Sequence, residues 1–204
     1  MKRTRIGLIP GFSLLLGIAL TTVGCGSAPT AEINASKTAL SAAQSEEVRT
    51  YAPESLKAAE DELNKGLAEV QAQDGKFFIS RDYKRASEML KSAAELAEKA
   101  RADAQVNRAK MKADAEAILA TLPALVSDAK KALARAPRGK DTRADLEAMQ
   151  EDLRLGEEAL NEATQAMSQE RYFDALTKAN SAKEKADSII EQVSRALSKV
   201  GRRD

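Results

Sequence analysis

Paired carboxylates are the most frequent groups in this chain that could do chemistry: Glu46-Glu47, Glu60-Asp61-Glu62, Glu151-Asp152 and Glu157-Glu158. Two acids can share acid and base duty when burial drives their pKa values apart. Here they fall mostly between apolar positions that recur every three or four residues, beside Lys and Arg, so solvated helix faces are expected. The chain has no His, which removes a His base and the Glu-x-x-His ligands of a di-metal bundle. Its one Cys, Cys25, excludes an internal disulfide and any multi-Cys zinc or iron–sulfur site. Ser and Lys can form a catalytic pair, but no Ser here has Gly-rich or elbow-like surroundings. Nor is there a G-x-x-x-x-G-K loop to cradle phosphate. No catalytic residue, cofactor or metal is expected, and the chain is not read as an enzyme. With 32 Lys+Arg against 31 Asp+Glu, it lacks the strongly basic face that nucleic acid requires. Aromatics at 3% leave few stacking platforms or pocket walls.

Cys25 is the residue with a definite chemical expectation. Met1-Lys2-Arg3-Thr4-Arg5 holds three cations and no acid, and an apolar run from Ile6 to Val23 precedes Gly24-Cys25-Gly26-Ser27. That order describes a secretory signal peptide over residues 1–24. A membrane-spanning helix is the rival, but these 18 residues include Gly7, Pro10, Gly11 and Gly17 and sit at the short end of a span. Thr22-Val23-Gly24-Cys25 resembles the bacterial lipobox, whose thiol is diacylated before the signal is cut just ahead of the Cys. The resemblance implies a chain held on a membrane through acyl groups on Cys25. Each buried methylene contributes about 0.8 kcal/mol, so two or three chains anchor almost permanently. Gly26 after the Cys, in place of Asp, implies sorting to the outer membrane of a Gram-negative cell, facing the periplasm. The mature chain loses Lys2, Arg3 and Arg5, leaving 29 cations against 31 acids, or −2. A body so close to neutral is expected to offer no basic patch for anionic lipid and no reason to bind acidic polymers.

The elements that follow read as helices. Ala is 39 of 204 residues, and Leu, Glu, Lys and Arg supply much of the rest. After a tether at 25–29, Thr30 is expected to cap a helix marked by Ile33, Leu40, Ala43 and Val48. Tyr51-Ala52-Pro53 ends that helix, and Pro53 opens a second, with Leu56, Ala59, Leu63, Gly66 or Leu67, and Val70. Asp74-Gly75 stops it, and Phe77-Phe78-Ile79 is expected to fold back on the bundle end. Ser80 is placed to cap a third helix with an unbroken seam of Tyr83, Ala86, Leu90, Ala93, Ala97, Ala100 and Ala104. The seam falters over Asn107–Asp114, resumes at Ala115, Ile118, Leu122 and Leu125, and meets Pro123, where a kink or restart is expected. Ala136–Lys140 is a loop, and Thr142-Arg143-Ala144-Asp145 resembles a capping box. A fourth long helix carries Leu146, Met149, Leu153, Gly156, Leu160, Ala163 and Met167. A fifth carries Tyr172, Ala175, Ala179, Ala182, Ala186, Ile189, Val193, Ala196 and Val200.

The heptads repeat. Leu56, Leu63 and Gly66 correspond to Leu146, Leu153 and Gly156 at an offset of 90, and Tyr83 and Ala86 to Tyr172 and Ala175 after one deletion. The predicted fold is all-α, an elongated antiparallel bundle of about five helices. It divides into two similar three-helix units, 30–109 and 110–200, sharing a long kinked central helix, with a tail at 201–204. Ala-rich seams bring helix axes close together and leave little room for a ligand cavity. Tyr83 and Tyr172 are expected to fill the wide end of each hairpin with their hydroxyls in water. Phe77, Phe78 and Phe173 are the candidates for contact with a partner.

With the lipobox, the Pro-x-x-Leu-x-x-Ala run from Pro53 to Ala59 and the Tyr-x-x-Ala run from Tyr83 to Ala86 resemble the envelope-associated domain-of-unknown-function family 4398. The likeness covers mainly 31–110, with a fainter second copy at 142–190. It implies a lipid-anchored periplasmic helical protein and brings no catalytic residues. The Tyr-x-x-Ala spacing is also similar to tetratricopeptide-type hairpins, without their strict 34-residue period. The expected function is that of an envelope scaffold or spacer with a protein partner, with self-association allowed. The alternative is a binding module: an apolar-ligand carrier, a chaperone or a cell-wall adaptor.

Overall fold

The computed structural model describes residues 27–139 and 142–200. Cys25, the segment 1–24 and the tail 201–204 lie outside the described residues. Among those described, six α-helices and one 3-10 turn account for nearly all of the chain: α1 (Thr30–Ala43), α2 (Glu46–Tyr51), α3 (Pro53–Asp74), α4 (Lys84–Ala134), α5 (Arg143–Ser168) and α6 (Tyr172–Val200). Helix α4 alone has 51 residues and spans about 76 Å at 1.5 Å per residue.

Cross-helix contacts give the path. On α1, Glu32 meets Ser87 and Lys91, and Asn107 reaches the Tyr51 carbonyl at the end of α2. Helices α1 and α2 therefore run parallel to the first half of α4. Helix α3 runs against it, with Ser55 beside Asp103 and Asp74 beside Tyr83. In the second half Lys130 meets Glu157, Lys178 meets Glu162 and Arg108 meets Glu170. So α5 descends along α4 and α6 rises beside both. The chain forms two up-down-up bundles end to end, and α4 belongs to both.

Each half has its own core. Leu40, Val48, Leu56, Leu63, Tyr83 and Leu90 pack with the Ala86–Ala104 seam in the first. Leu122, Val126, Met149, Ala163, Ala182 and Ile189 are central to the second, and a small cluster of Ala115, Ala166 and Ala175 shares Met167 with the first. Close packing is clearest at Gly66, where a Cβ would lie 3.0 Å from the Leu90 side chain. At the matching Gly156 the nearest atom is 3.5 Å away, on Lys185.

Several local expectations are corrected. The first helix breaks at Gln44, because Ser45 turns extended and its Oγ accepts the Val48 N–H at 3.3 Å to cap α2. Thr30 lies inside α1 and caps nothing; the chain enters the helix from Pro29. Ser80 belongs to the 3-10 turn Phe78–Ser80, while the Asp82 carboxylate accepts the Lys84 N–H at 2.9 Å where α4 begins. Helix α4 does not restart at Pro123, which lies on its exposed side, and the buried seam continues through Val126, Ala129 and Leu133. Thr142 forms no capping box. Its backbone is already helical, and its hydroxyl accepts the Gly139 N–H at 2.9 Å instead.

The Phe77-Phe78-Ile79 turn does not fold back. The three residues are 69%, 65% and 74% exposed. The hairpin end is already closed by the buried Tyr83 and Gln73, so no apolar space is left for them. The Tyr83 hydroxyl donates to the Asp74 carboxylate rather than to water, and this bond raises the phenol above its ordinary value of 10.0.

Candidate functional site

The interrupted seam at Asn107–Asp114 marks a change of partners. Below it α4 packs on α1, α2 and α3; above it, on α5 and α6. At this waist the seam positions are Asn107, Arg108 and Met111, each partly buried. Asn107 Nδ2 donates to the Tyr51 carbonyl at 2.8 Å, which gives the last turn of α2 a partner just before Pro53 ends it.

Arg108 is the hub of the waist. Its Nη2 donates to Glu170 at 2.8 Å, and its Nε lies 3.9 Å from Glu47. Its guanidinium carbon sits 4.8 Å from the Tyr172 ring centroid, and Lys112 Nζ lies 5.7 Å from the same ring. Tyr172 is buried as part of the first core although it opens α6. Arg108 thus links α2, the α5–α6 turn and α6, covering the aromatic face by cation–π attraction. Desolvation pulls the guanidinium down, but the Glu170 hydrogen bond and the surrounding Tyr172, Glu170 and Glu47 hold it above its ordinary value.

A cleft of about 860 Å³ opens beside this hub, between α2 and the start of α6. Glu46, Glu47, Glu170 and Asp174 supply negative charge, Arg49, Arg108 and Arg171 positive charge, and Tyr51, Pro53 and Phe173 apolar surface. Phe173 is 45% exposed at this cleft. Such a mixed lining suits an extended or helical peptide segment with charges of both signs around an apolar anchor. A second cleft, about 370 Å³, lies at the far end, where Pro137, Leu146 and Met149 face Arg195 and Lys199.

The anticipated contact residues are therefore not brought together. Phe77 and Phe78 stand at the free end of the first bundle, their rings 4.9 Å apart. Phe173 is at the waist, about 37 Å along α4 from Tyr83 to Arg108. Cys25 lies outside the described residues. Tyr51, Asn107, Arg108 and Glu170 were not anticipated as site residues; an Arg in a seam position was the available signal.

Several of the paired acids meet cations on the surface: Glu151 and Glu158 flank Arg154, Glu157 meets Lys130, and Asp152 meets Lys185. Among the described residues no cluster of acids or Cys is arranged to hold a metal ion, and no helix is long and apolar enough to cross a membrane. The chain finds no significant match among models of known families, curated proteins or solved structures.

Proposed function

We propose that this chain is a lipid-anchored envelope protein whose helical rod serves as an interaction scaffold or spacer on the periplasmic side of the outer membrane. The observation that carries the reading is α4, one 51-residue helix shared by two packed cores. A continuous helix fixes the separation of two sites on the rod. Narrow seams, with Ala59, Ala86, Ala97, Ala100 and Ala179 fully buried, support a spacer over a carrier of apolar ligands. Acylation of Cys25 supplies the membrane attachment, and the likeness of Pro53–Ala59 and Tyr83–Ala86 to the envelope family belongs to the same reading. The waist cleft, with Phe173 on it, is the protein-contact site.

A binding module is the second reading, because the waist cleft falls within the size range of small-molecule sites. Two measurements test the proposal. Fatty-acid labelling of the intact chain should disappear in Cys25→Ser; equal labelling and equal membrane association of that variant reject the anchor. A photo-crosslinker at Phe173 should capture one discrete envelope protein, and Arg49→Glu should reduce the yield. Capture that Arg49→Glu does not change rejects the waist as the contact site.

A further inference from the structure

We propose that the α3–α4 turn is a membrane-contacting foot that seats the rod end-on against an anionic lipid surface. This deepens the anchoring reading and rests on it for the position of Cys25. The first observation is the turn itself. Phe77, Phe78 and Ile79 form three consecutive, exposed, bulky apolar residues at one extremity of the molecule. Arg81 donates to the carbonyls of Asp74 at 2.8 Å and Lys76 at 3.0 Å, and the Ser80 N–H donates to Phe77 at 2.8 Å. The buried Gln73 accepts the Asp82 N–H at 3.0 Å. The apolar side chains are held outward by bonds that span the turn.

The second observation is charge. Lys76, Arg81, Lys84 and Arg85 flank the apolar residues in sequence, against Asp74 and Asp82. Both acids accept hydrogen bonds from neutral donors, the Tyr83 hydroxyl and the Lys84 N–H, and keep their charge. Residues 74–85 thus carry four cations against two acids, a local excess in a mature chain whose balance is −2, although Glu88 follows one turn into α4. Exposed aromatic and aliphatic side chains flanked by Lys and Arg suit the headgroup region of an anionic bilayer.

The third observation is position. Helix α1 runs parallel to α4, its Glu32 meets Ser87 and Lys91, and Ala28 packs on the first core. Ser87 is about 6 Å along α4 from Tyr83. The chain therefore enters the rod at the end that carries the foot. From Cys25 to Thr30 the backbone spans at most about 17 Å. Acyl chains on Cys25 hold this end, and not the Arg195 end, at the bilayer. A second copy or a protein partner could also cover apolar residues, but neither accounts for the end shared with the chain's entry and the flanking Lys and Arg.

The sequence has no Trp, so single-Trp variants report position without background. Phe77→Trp and Leu197→Trp, the latter at an exposed residue of the opposite end, are made in the acylated chain and in Cys25→Ser. Each is mixed with phosphatidylethanolamine–phosphatidylglycerol vesicles whose acyl chains carry bromine, and circular dichroism checks the fold. In the acylated chain F77W should shift to the blue and be quenched several-fold more than L197W. The Cys25→Ser chain should need more lipid yet keep the same preference, and lose it when Lys84→Glu and Arg85→Glu are added. Acylated protein that floats with vesicles while F77W and L197W are quenched alike overturns the foot and leaves the anchor standing. If acylation does not change flotation but F77W is still selectively quenched, the anchor fails and the foot stands. A blue shift that grows with protein concentration and needs no lipid assigns the turn to self-association and overturns the proposal.

Discussion

Arg108, midway along α4, donates to Glu170 at 2.8 Å, and Glu170 is the one non-glycine residue with positive φ, 58°, among those described. The two facts are connected. Helix α5 ends with the Arg171 N–H on the Ala166 carbonyl and the Glu170 N–H on the Met167 carbonyl, an arrangement that favours Gly at position 170. A side chain there costs about 1 kcal/mol of backbone strain. What the chain gains is a carboxylate that locks the α5–α6 turn onto the shared helix.

Glu170→Gly relieves the backbone and removes the bond, and salt separates the two effects. At about 1 M NaCl the ion pair is screened within roughly 3 Å, so the relieved backbone dominates. The melting temperature of the variant relative to the parent should rise by a few degrees between low and high salt. Arg108→Ala in both backgrounds should abolish that salt dependence. A salt-independent difference would show that Arg108 does not hold this turn.

Gly66 and Gly156 occupy matching positions but should respond oppositely to Ala. Either substitution gains helix propensity of about 1 kcal/mol. At Gly156 the nearest neighbour to a new Cβ is 3.5 Å away, an ordinary contact, so Gly156→Ala should be stabilising by about 0.5–1 kcal/mol. At Gly66 the Cβ would lie 3.0 Å from Leu90 Cγ and 3.3 Å from its backbone N, and Leu90 is fully buried. Overpacking costs about 1–3 kcal/mol, so Gly66→Ala should be net destabilising. Urea titration of both variants checks the opposite signs; a stabilising Gly66→Ala would mean that α3 and α4 can separate at no cost.

The all-helical fold was legible because Ala, Leu and Tyr recur at spacings of three and four from Leu56 to Val193. The helix boundaries were less so. Ser45 interrupts a pattern that reads through it, since Leu40 and Val48, eight residues apart, fall on one side of a continuous helix. Thr142 has the composition of a cap, but whether a hydroxyl points forward or back depends on the path of the loop before it. Apolarity marked Phe77 and Phe78 as a unit; it could not tell that Tyr83 had already closed the space beneath them. The waist was hidden for another reason. Arg108 looks like a fault in a seam until two bundles are known to meet there.

Asp103 predicts acid sensitivity in the first bundle. Its carboxylate accepts Lys99 Nζ at 2.7 Å and Ser55 Oγ at 2.6 Å, beside the first turn of α3. Those bonds, Lys99 first, hold its pKa below the ordinary value of 3.8 although desolvation opposes them. A lowered folded pKa gives stability that is complete well above 3.8 and is lost as pH falls through the folded value. Asp103→Asn should lower the melting temperature at neutral pH and flatten the decline as the pH falls below 3.8. An acid limb with the parent's slope would remove Asp103 from this role.

Tyr83 predicts the alkaline counterpart, and the sign reverses. The Asp74 hydrogen bond comes first among the causes that raise its phenol above 10.0, followed by desolvation. A raised folded pKa favours the protonated form in the native state. The resulting stability is complete below 10.0 and is lost as pH climbs from there through the folded value, because the unfolded chain gives up its proton first. Tyr83→Phe keeps the ring that closes the hairpin end but has no proton to lose. It should be slightly less stable than the parent at neutral pH, and the gap should narrow as the pH passes about 10. Chemical denaturation at matched ionic strength measures this directly. Parallel curves for the two proteins across the alkaline range would show that the Asp74 bond contributes nothing to the closure beneath Phe77 and Phe78.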